Sequence, residues 1–335
     1  MKLRRSKSVT MIVASAALAL GLSACGTSPS NSGSTTSASP DATSATIETE
    51  SNLGKHTITV PPKNVVALDN RTFKLLNDWG VELKAGAVSL MRPDLSYKKD
   101  VTDIGNHREP NLELIVAAEP DLIVSGQRFT QYNDDIKKLA PNATLVDYSP
   151  RDGKDFAEEL KRQVTEMGRI FGKEAEAKKE IEAFDAAVAR AKAAYDPSQK
   201  VLGVITSGGK INYAAPTKGR SVGPAFDVLG LTPALKVEGS SKDHEGDDVS
   251  VEAIADANPD WILVLDRDAS VSALRGKTFT PANELLKNSA ALQNVNAVKN
   301  DRIVYMPQYT YIDESLATYT EFFNSIADAM EKAKA

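Results

Sequence analysis

The fold is decided by residues 173–195, which read KEAEAKKEIEAFDAAVARAKAAY. This stretch contains no Gly or Pro and is dominated by Ala, Glu and Lys, which are strong helix formers. Its larger apolar residues recur at spacings of three and four and predict one apolar stripe along a helix: Ile181, Phe184, Val188 and Ala191. Such a helix would be about 34 Å long, enough to span a domain. An ordinary surface helix would share these features, so the flanking sequence must decide its role.

An internal repeat flanks this helix. Residues 112–128 (LELIVAAEPDLIVSGQR) align without a gap to residues 251–267 (VEAIADANPDWILVLDR). Each copy predicts a short helix, a Pro-Asp turn and a buried strand that ends at an arginine. Two lobes of one architecture, joined by the long helix, are the simplest explanation.

Strands and helices alternate on both sides of the long helix, which predicts mostly parallel sheets covered on both faces. The expected fold class is therefore α/β, with two Rossmann-like lobes joined by one long backbone helix. We place the N-terminal lobe at residues 56–172, the linking helix at 173–196 and the C-terminal lobe at 197–335.

The N-terminus has the features of a lipoprotein signal peptide, residues 1–24. A basic start is followed by a short apolar stretch that ends in Leu22-Ser23-Ala24-Cys25, the pattern of a bacterial lipobox. Cys25 is the only cysteine, so it is the expected lipidation site, and no disulfide within the chain is possible. Residues 25–55 are rich in Ser and Thr and predict a flexible tether.

Charge and motifs exclude several function classes. Removing residues 1–24 takes away four positive charges and changes the net charge from −5 to −9, which argues against nucleic acid as a partner. The sequence contains no Walker A loop and no H-E-x-x-H. We therefore expect a binding protein without a cofactor, not an enzyme.

Three arginines are the strongest candidates for ligand contacts. Arg128 and Arg267 follow equivalent strands of the two lobes, and Arg220 lies in a loop after the strand at 201–206. Ligands of such folds bind outside the carboxyl ends of the strands, so the three side chains are expected to share one cleft. A guanidinium group is always charged and can contact two oxygens at once, which suits a polyanionic ligand.

Histidine and tyrosine add weaker candidates. His107 and His244 lie in loops, where an imidazole can bind or polarise a metal complex. Tyr309 and Tyr311 follow the strand at 302–306, where a phenol can stack on an aromatic ligand or contact a metal. Solvated histidines and packed tyrosines remain the alternative for each of them.

Taken together, these segments resemble the iron(III)-siderophore-binding lipoproteins of ABC importers, which are class III, helical-backbone substrate-binding proteins. The resemblance covers nearly all of the chain after Cys25. It is carried by the two repeat copies and by TKGRSVGPAFDVLG (217–230) and DRIVYMPQYTY (301–311).

The resemblance implies a function and its residues. In the catecholate-type branch three arginines contact the anionic ferric complex, and their places match Arg128, Arg220 and Arg267. A His and a Tyr of that branch can complete the iron shell; His244 and Tyr309 or Tyr311 lie at comparable places, with the loop around His244 poorly matched. Glu113 and Glu252 match the glutamates that dock on the permease.

The resemblance also implies a cellular setting. The expected protein is a lipid-anchored monomer on the extracytoplasmic face of the cell membrane. It captures a ferric siderophore and passes it to the permease and ATPase of an ABC importer, which takes up iron. A haem- or cobalamin-binding lipoprotein of the same architecture is the main alternative. A surface enzyme, an adhesion module and a zinc or manganese binder remain further alternatives.

Overall fold

A computed structural model describes residues 45–335. The predicted signal peptide and Cys25 lie outside these residues. No helix within the described part of the chain is both long and apolar enough to cross a membrane.

The described chain begins with an antiparallel hairpin of two strands, β1 (Ala45–Ser51) and β2 (Gly54–Val60). The predicted tether at 25–55 is therefore wrong from residue 45 onwards. Hydrogen bonds stabilise β1 in place of large apolar side chains: the hydroxyl of Thr49 lies 2.5 Å from that of Tyr148 and donates to Glu166 at 2.7 Å. The backbone N–H of Asn52, in the turn, donates to the carbonyl of Asp147 at 2.7 Å.

The N-terminal lobe is built on a five-stranded sheet in which every pairing is parallel, with the strand order β5-β4-β3-β6-β7. Its strands are β3 (Val65–Ala67), β4 (Ala85–Gly86), β5 (Thr102–Asp103), β6 (Leu122–Ser125) and β7 (Thr144–Asp147). Its helices are α1 (Asn70–Asp78), α2 (Tyr97–Asp100), α3 (Leu112–Ala117), α4 (Asn133–Leu139) and α5 (Phe156–Phe171), with 3₁₀ turns at Val88–Leu90 and Gln127–Tyr132.

The predicted long helix is confirmed as α6 (Glu174–Ala194). Phe184 and Ala191 of the predicted stripe are buried, whereas Ile181 and Val188 are half-buried at its margin. Phe184 packs against Phe323 of the C-terminal helix, with ring centroids 5.8 Å apart. The helix is therefore covered on one face and exposed on the other, as its Ala, Glu and Lys content requires.

The C-terminal lobe repeats the parallel arrangement in the order β10-β8-β11-β12, and one strand, β9, pairs antiparallel with β8. Its strands are β8 (Lys200–Ser207), β9 (Lys210–Tyr213), β10 (Thr232–Pro233), β11 (Trp261–Asp266) and β12 (Ile303–Tyr305). Its helices are α7 (Gly223–Leu229), α8 (Val251–Asp256), α9 (Arg267–Leu274), α10 (Ala282–Asn288), α11 (Asn296–Lys299), α12 (Thr310–Asp313) and α13 (Leu316–Lys332), with a 3₁₀ turn at Ala290–Leu292. The predicted α/β class with two mostly parallel lobes and a backbone helix is confirmed.

The sequence repeat is a structural repeat. The residues two before each aspartate, Glu119 and Asn258, both adopt a positive φ, of 45° and 42°. Asp121 then accepts the backbone N–H of Asn64 at 3.0 Å, and Asp260 accepts that of Lys200 at 2.8 Å. In each lobe the aspartate thus anchors the start of the neighbouring strand. The arginines do not end the strands, as predicted, but follow them: Arg128 lies in the 3₁₀ turn after β6, and Arg267 is the first residue of α9 after β11.

Candidate ligand-binding site

Three predicted arginines surround one aromatic ring. The guanidinium carbons of Arg128, Arg220 and Arg267 lie 5.2, 4.8 and 5.0 Å from the ring centroid of Tyr311. A cation near the face of an aromatic ring is attracted by its quadrupole, by about 0.5–2 kcal/mol depending on burial. Three positively charged side chains from the two lobes therefore lie close together around the buried ring of Tyr311.

A cavity of about 480 Å³ opens beside this ring. Among the described residues that line it, five are arginines and none is acidic: Arg108, Arg128, Arg220, Arg267 and Arg275, with His107 and His244, are its basic residues. Apolar side chains such as Leu274 and Ile312 complete the wall. This combination of cations and apolar surface suits a compact anion with an organic framework.

The turn after β6 places Arg128. A Cβ on Gly126 would lie 2.6 Å from the carboxylate of Asp69, so only glycine fits between β6 and α1. Gln127 follows with a φ of 48°, and Arg128 then points towards the cavity. Burial and the nearby Arg220 lower the pKa of Arg128, which means that its charge is incompletely compensated within the protein.

Asp69 beneath this turn is fully buried, and burial raises its pKa to about 6, although the guanidinium of Arg71 opposes the shift. Because the folded state holds this proton more tightly than the unfolded state, Asp69 stabilises the protein at low pH. This contribution is lost as the pH rises from about 4 through 6.

We expect Asp69→Asn to gain about 3 kcal/mol in unfolding free energy relative to wild type between pH 4 and pH 7. An Asn can still cap α1 and accept the N–H of Arg71. Urea unfolding of both proteins across this pH range is the measurement. Asp155→Asn, at the exposed cap of α5, controls for the exchange of a cap. A difference in unfolding free energy between Asp69→Asn and wild type that does not change with pH would contradict the raised pKa of Asp69.

Arg220 is held from below by a buried carboxylate. Its Nη2 donates to Glu314 at 2.9 Å, and the hydroxyl of the next residue, Ser221, donates to the same carboxylate at 2.5 Å. A Cβ on Gly219 would lie 2.6 Å from the backbone of Ala214, so the loop can fold back on itself only with glycine at that position. These contacts fix the direction of the Arg220 side chain.

Arg267 begins α9 directly after β11. Its Nη1 donates to the hydroxyl of Ser207 at 3.0 Å, and its Nη2 lies 3.4 Å from the half-exposed carboxylate of Glu245. The Nε atoms of Arg220 and Arg267 are buried and have no hydrogen-bond partner among the described residues. Within residues 45–335, Arg128 has no carboxylate within ion-pair distance. The cluster therefore retains donors and charge for an anion.

Of the other predicted side chains, some line the cavity and one lies outside it. His244 lines the cavity from the C-terminal lobe, with the carboxylates of Asp243 and Glu245 each 3.8 Å from its ring. Tyr311 lines it as well, but Tyr309 does not: Arg92 stacks on its ring at 5.0 Å, outside the cavity. Tyr309 directly precedes α12 and Tyr311 is its second residue, and the two side chains face different ways.

His107 also lines the cavity, and its Nδ1 is buried with no hydrogen-bond partner among the described residues. Burial and the guanidinium groups of Arg128, Arg108 and Arg220 lower its pKa, so the imidazole is neutral at neutral pH. In the part of the chain that the structure describes, no three His, Cys, Asp or Glu side chains are close enough to hold a metal ion by themselves.

A second, larger cavity of about 1080 Å³ lies between the lobes on the other side of Arg128 and Arg220. Four of its lining residues are acidic: Asp152, Asp155, Asp227 and Glu314. These acids offset part of the charge of seven basic residues in the same lining, whereas the described lining of the smaller cavity has no acid. The smaller cavity at Tyr311 is therefore the better site for an anion.

Glu113 and Glu252 occupy the same place in the two lobes. Each is the second residue of its helix, α3 or α8, after a side-chain N-cap formed by Asn111 or Ser250. Both glutamates are exposed. Within residues 45–335 neither carboxylate forms an ion pair.

Comparison with known proteins identifies the family. The family profile named periplasmic binding protein matches residues 65–310. The petrobactin-binding protein YclQ of Bacillus subtilis is 30% identical over 324 residues, 94% of this chain and 96% of that protein. Its crystal structure superposes with a TM-score of 0.72 and 26% identity, covering 86% of this chain and 99% of that one.

A second relative is the ferric-anguibactin-binding protein FatB of Vibrio anguillarum, which is 31% identical over 264 residues, 77% of this chain and 78% of the relative. The match to the family profile covers well over half of the sequence, and the similarity to YclQ extends almost from end to end. This chain therefore belongs to the periplasmic binding protein family.

Proposed function

We propose that this protein captures an anionic ferric siderophore, of catecholate or mixed type, and delivers it to an ABC permease for iron uptake. One observation carries the proposal: three arginines from two lobes meet at the ring of Tyr311, in a cavity whose described lining has no acidic residue. A ferric tris-catecholate is a compact trianion, and removing it from water requires counter-charges of this kind.

The relatives support a ferric ligand. One is named for petrobactin and another for ferric anguibactin, and both are described as binding proteins. The protein would therefore act by binding and release, without catalysis and without a resident cofactor, and the iron would arrive as part of the ligand.

Calorimetric titration of the folded protein with a panel of complexes tests the proposal. The panel contains a ferric tris-catecholate, a ferric citrate, a neutral ferric hydroxamate, haem and cobalamin. We expect the tightest binding for an anionic catecholate or mixed complex. Preferred binding of haem or cobalamin, or no binding of any ferric complex, would overturn it.

The lipobox predicts where the protein acts. We propose that Cys25 carries a lipid that holds the protein on the extracytoplasmic face of the cell membrane, while the chain itself works as a monomer.

We expect Cys25→Ala to release full-length protein into the soluble fraction or leave its signal peptide uncleaved, because no thiol remains for acylation. Fractionation of cells that express wild type or the variant, followed by intact-mass measurement, checks this. Cys25→Ser, which keeps the size of the side chain, should behave like Cys25→Ala. A variant that stays membrane-bound and processed like wild type would contradict the assignment.

A further inference from the structure

Glu314 receives hydrogen bonds from both lobes. Gln127 of the N-terminal lobe donates to it at 2.8 Å, and Arg220 and Ser221 of the C-terminal lobe donate at 2.9 and 2.5 Å. The guanidinium of Arg71 lies 3.5 Å away, and the side chain of Glu314 is only 5% exposed. One buried carboxylate therefore connects the two walls of the cleft.

The backbone around this carboxylate is unusual. Glu314, Gln127 and Ser221 have φ angles of 48°, 48° and 59°, a region that residues other than glycine rarely adopt. Such conformations persist where surrounding contacts fix them. Here all three residues meet through the Glu314 carboxylate, and two of them are chain neighbours of Arg128 and Arg220.

The carboxylate is also ionised at physiological pH. Burial alone would raise the pKa of Glu314, but the guanidinium groups of Arg220 and Arg71, with the hydroxyl of Ser221, outweigh it and lower the pKa. The bonds from the two lobes are therefore charge-assisted contacts in the folded protein.

We propose that Glu314 is a positioning residue that sets the placement of Arg128 and Arg220 across the cleft and thereby determines how tightly an anionic ferric complex is held. This inference rests on the proposed function. Glu314 does not line the cavity at Tyr311, so it acts through the two arginines and not through the ligand.

The effect of removing the Glu314 carboxylate on ligand affinity distinguishes a positioning role from a purely electrostatic one. If Glu314 acted only through its negative charge, its removal would make the cleft more positive and would tighten the binding of a trianion. If it positions the arginines, its removal weakens binding although the charge becomes more favourable. The direction of the change therefore separates the two roles.

The experiment measures the affinity for an iron(III) complex of a synthetic tris-catecholate in double-mutant cycles. We expect Glu314→Gln to weaken binding about tenfold in the wild-type and Arg267→Ala backgrounds, and only about threefold when Arg220→Ala is already present, because the effect on Arg128 through Gln127 remains. Arg267 serves as the internal control because its polar contacts go to Ser207 and Glu245.

Two further variants complete the design. Glu245→Gln removes the carboxylate beside Arg267 and should change the affinity by less than about twofold. Ser221→Ala removes one hydrogen bond to Glu314 without removing a charge, and it should weaken binding about threefold only where Arg220 is present. If thermal melting shows that Glu314→Gln does not fold, the affinity of Ser221→Ala is measured in its place.

Unchanged or tighter binding by a folded Glu314→Gln protein would overturn the inference, and so would an equal loss in all backgrounds. If Glu314→Gln does not fold, a Ser221→Ala protein with wild-type affinity would overturn it. Failure of the wild-type protein to bind this complex or any other ferric complex of the panel would instead overturn the proposed function.

Discussion

Replacing Arg128, Arg220 or Arg267 by Ala is expected to weaken the binding of a ferric tris-catecholate about ten- to a hundredfold each. A hydrogen bond that involves a charged group is worth about 1.5–3 kcal/mol, and each guanidinium would make such bonds to chelating oxygens. The three side chains approach the ring of Tyr311 to within 5.2 Å, so each removal leaves the anion less neutralised.

The Lys variants refine this result. Arg→Lys should recover only part of the loss, because an ammonium group keeps the charge but cannot contact two oxygens in the planar geometry of guanidinium. Affinity is measured by calorimetry for the trianionic complex and for a neutral ferric hydroxamate. Arg302→Ala is the matched control, because Arg302 stacks on Trp261 at 5.6 Å and does not line the cavity. Tight binding of the neutral complex that none of the three Arg→Ala mutations changes would contradict the assignment of these arginines to the binding site.

Changing Glu113 and Glu252 together to Ala is expected to abolish iron uptake in cells while leaving the affinity for the ligand intact. The two carboxylates are exposed at equivalent helix starts, one per lobe, and lie outside the residues that line the cavity. Two glutamates in equivalent positions suit a permease with two-fold symmetry.

Uptake of radioactive ferric siderophore by cells that carry only the variant protein measures the effect. Glu182→Ala, at an exposed position of α6, is the control and should transport normally. Each single mutant should retain part of the activity, because one lobe can still dock. Normal uptake by the double mutant would show that docking uses another surface.

The sequence predicted those features that follow from strand position. Arg128 and Arg267 could be assigned to one cleft because parallel strands end at the same edge of a sheet, and the repeat marked both strands. The long helix could also be predicted, because Ala, Glu and Lys without Gly or Pro favour a helix over any other structure. Local composition and topology were sufficient in these places.

Other features depend on contacts that no local pattern reveals. The strand at Ala45–Ser51 resembles a linker because most of its residues are small or polar, and its contacts with residues distant in sequence, such as Tyr148 and Glu166, help to stabilise it. Glu314 lies in a short segment without a motif, and its partners come from two separate loops and from α1. Arg108 and Arg275 follow no predicted pattern, so their place in the cavity emerged only from the fold.

The most direct test of the central claim is to locate the iron atom. Crystals of the protein with a bound ferric tris-catecholate, measured at the iron absorption edge, give the position of the metal without any assumption about the ligand. We expect one iron peak in the cavity beside Tyr311, with the chelating oxygens within hydrogen-bond distance of Arg128, Arg220 and Arg267. An iron peak in the larger cavity beyond Arg128 and Arg220, or on the protein surface, would contradict it.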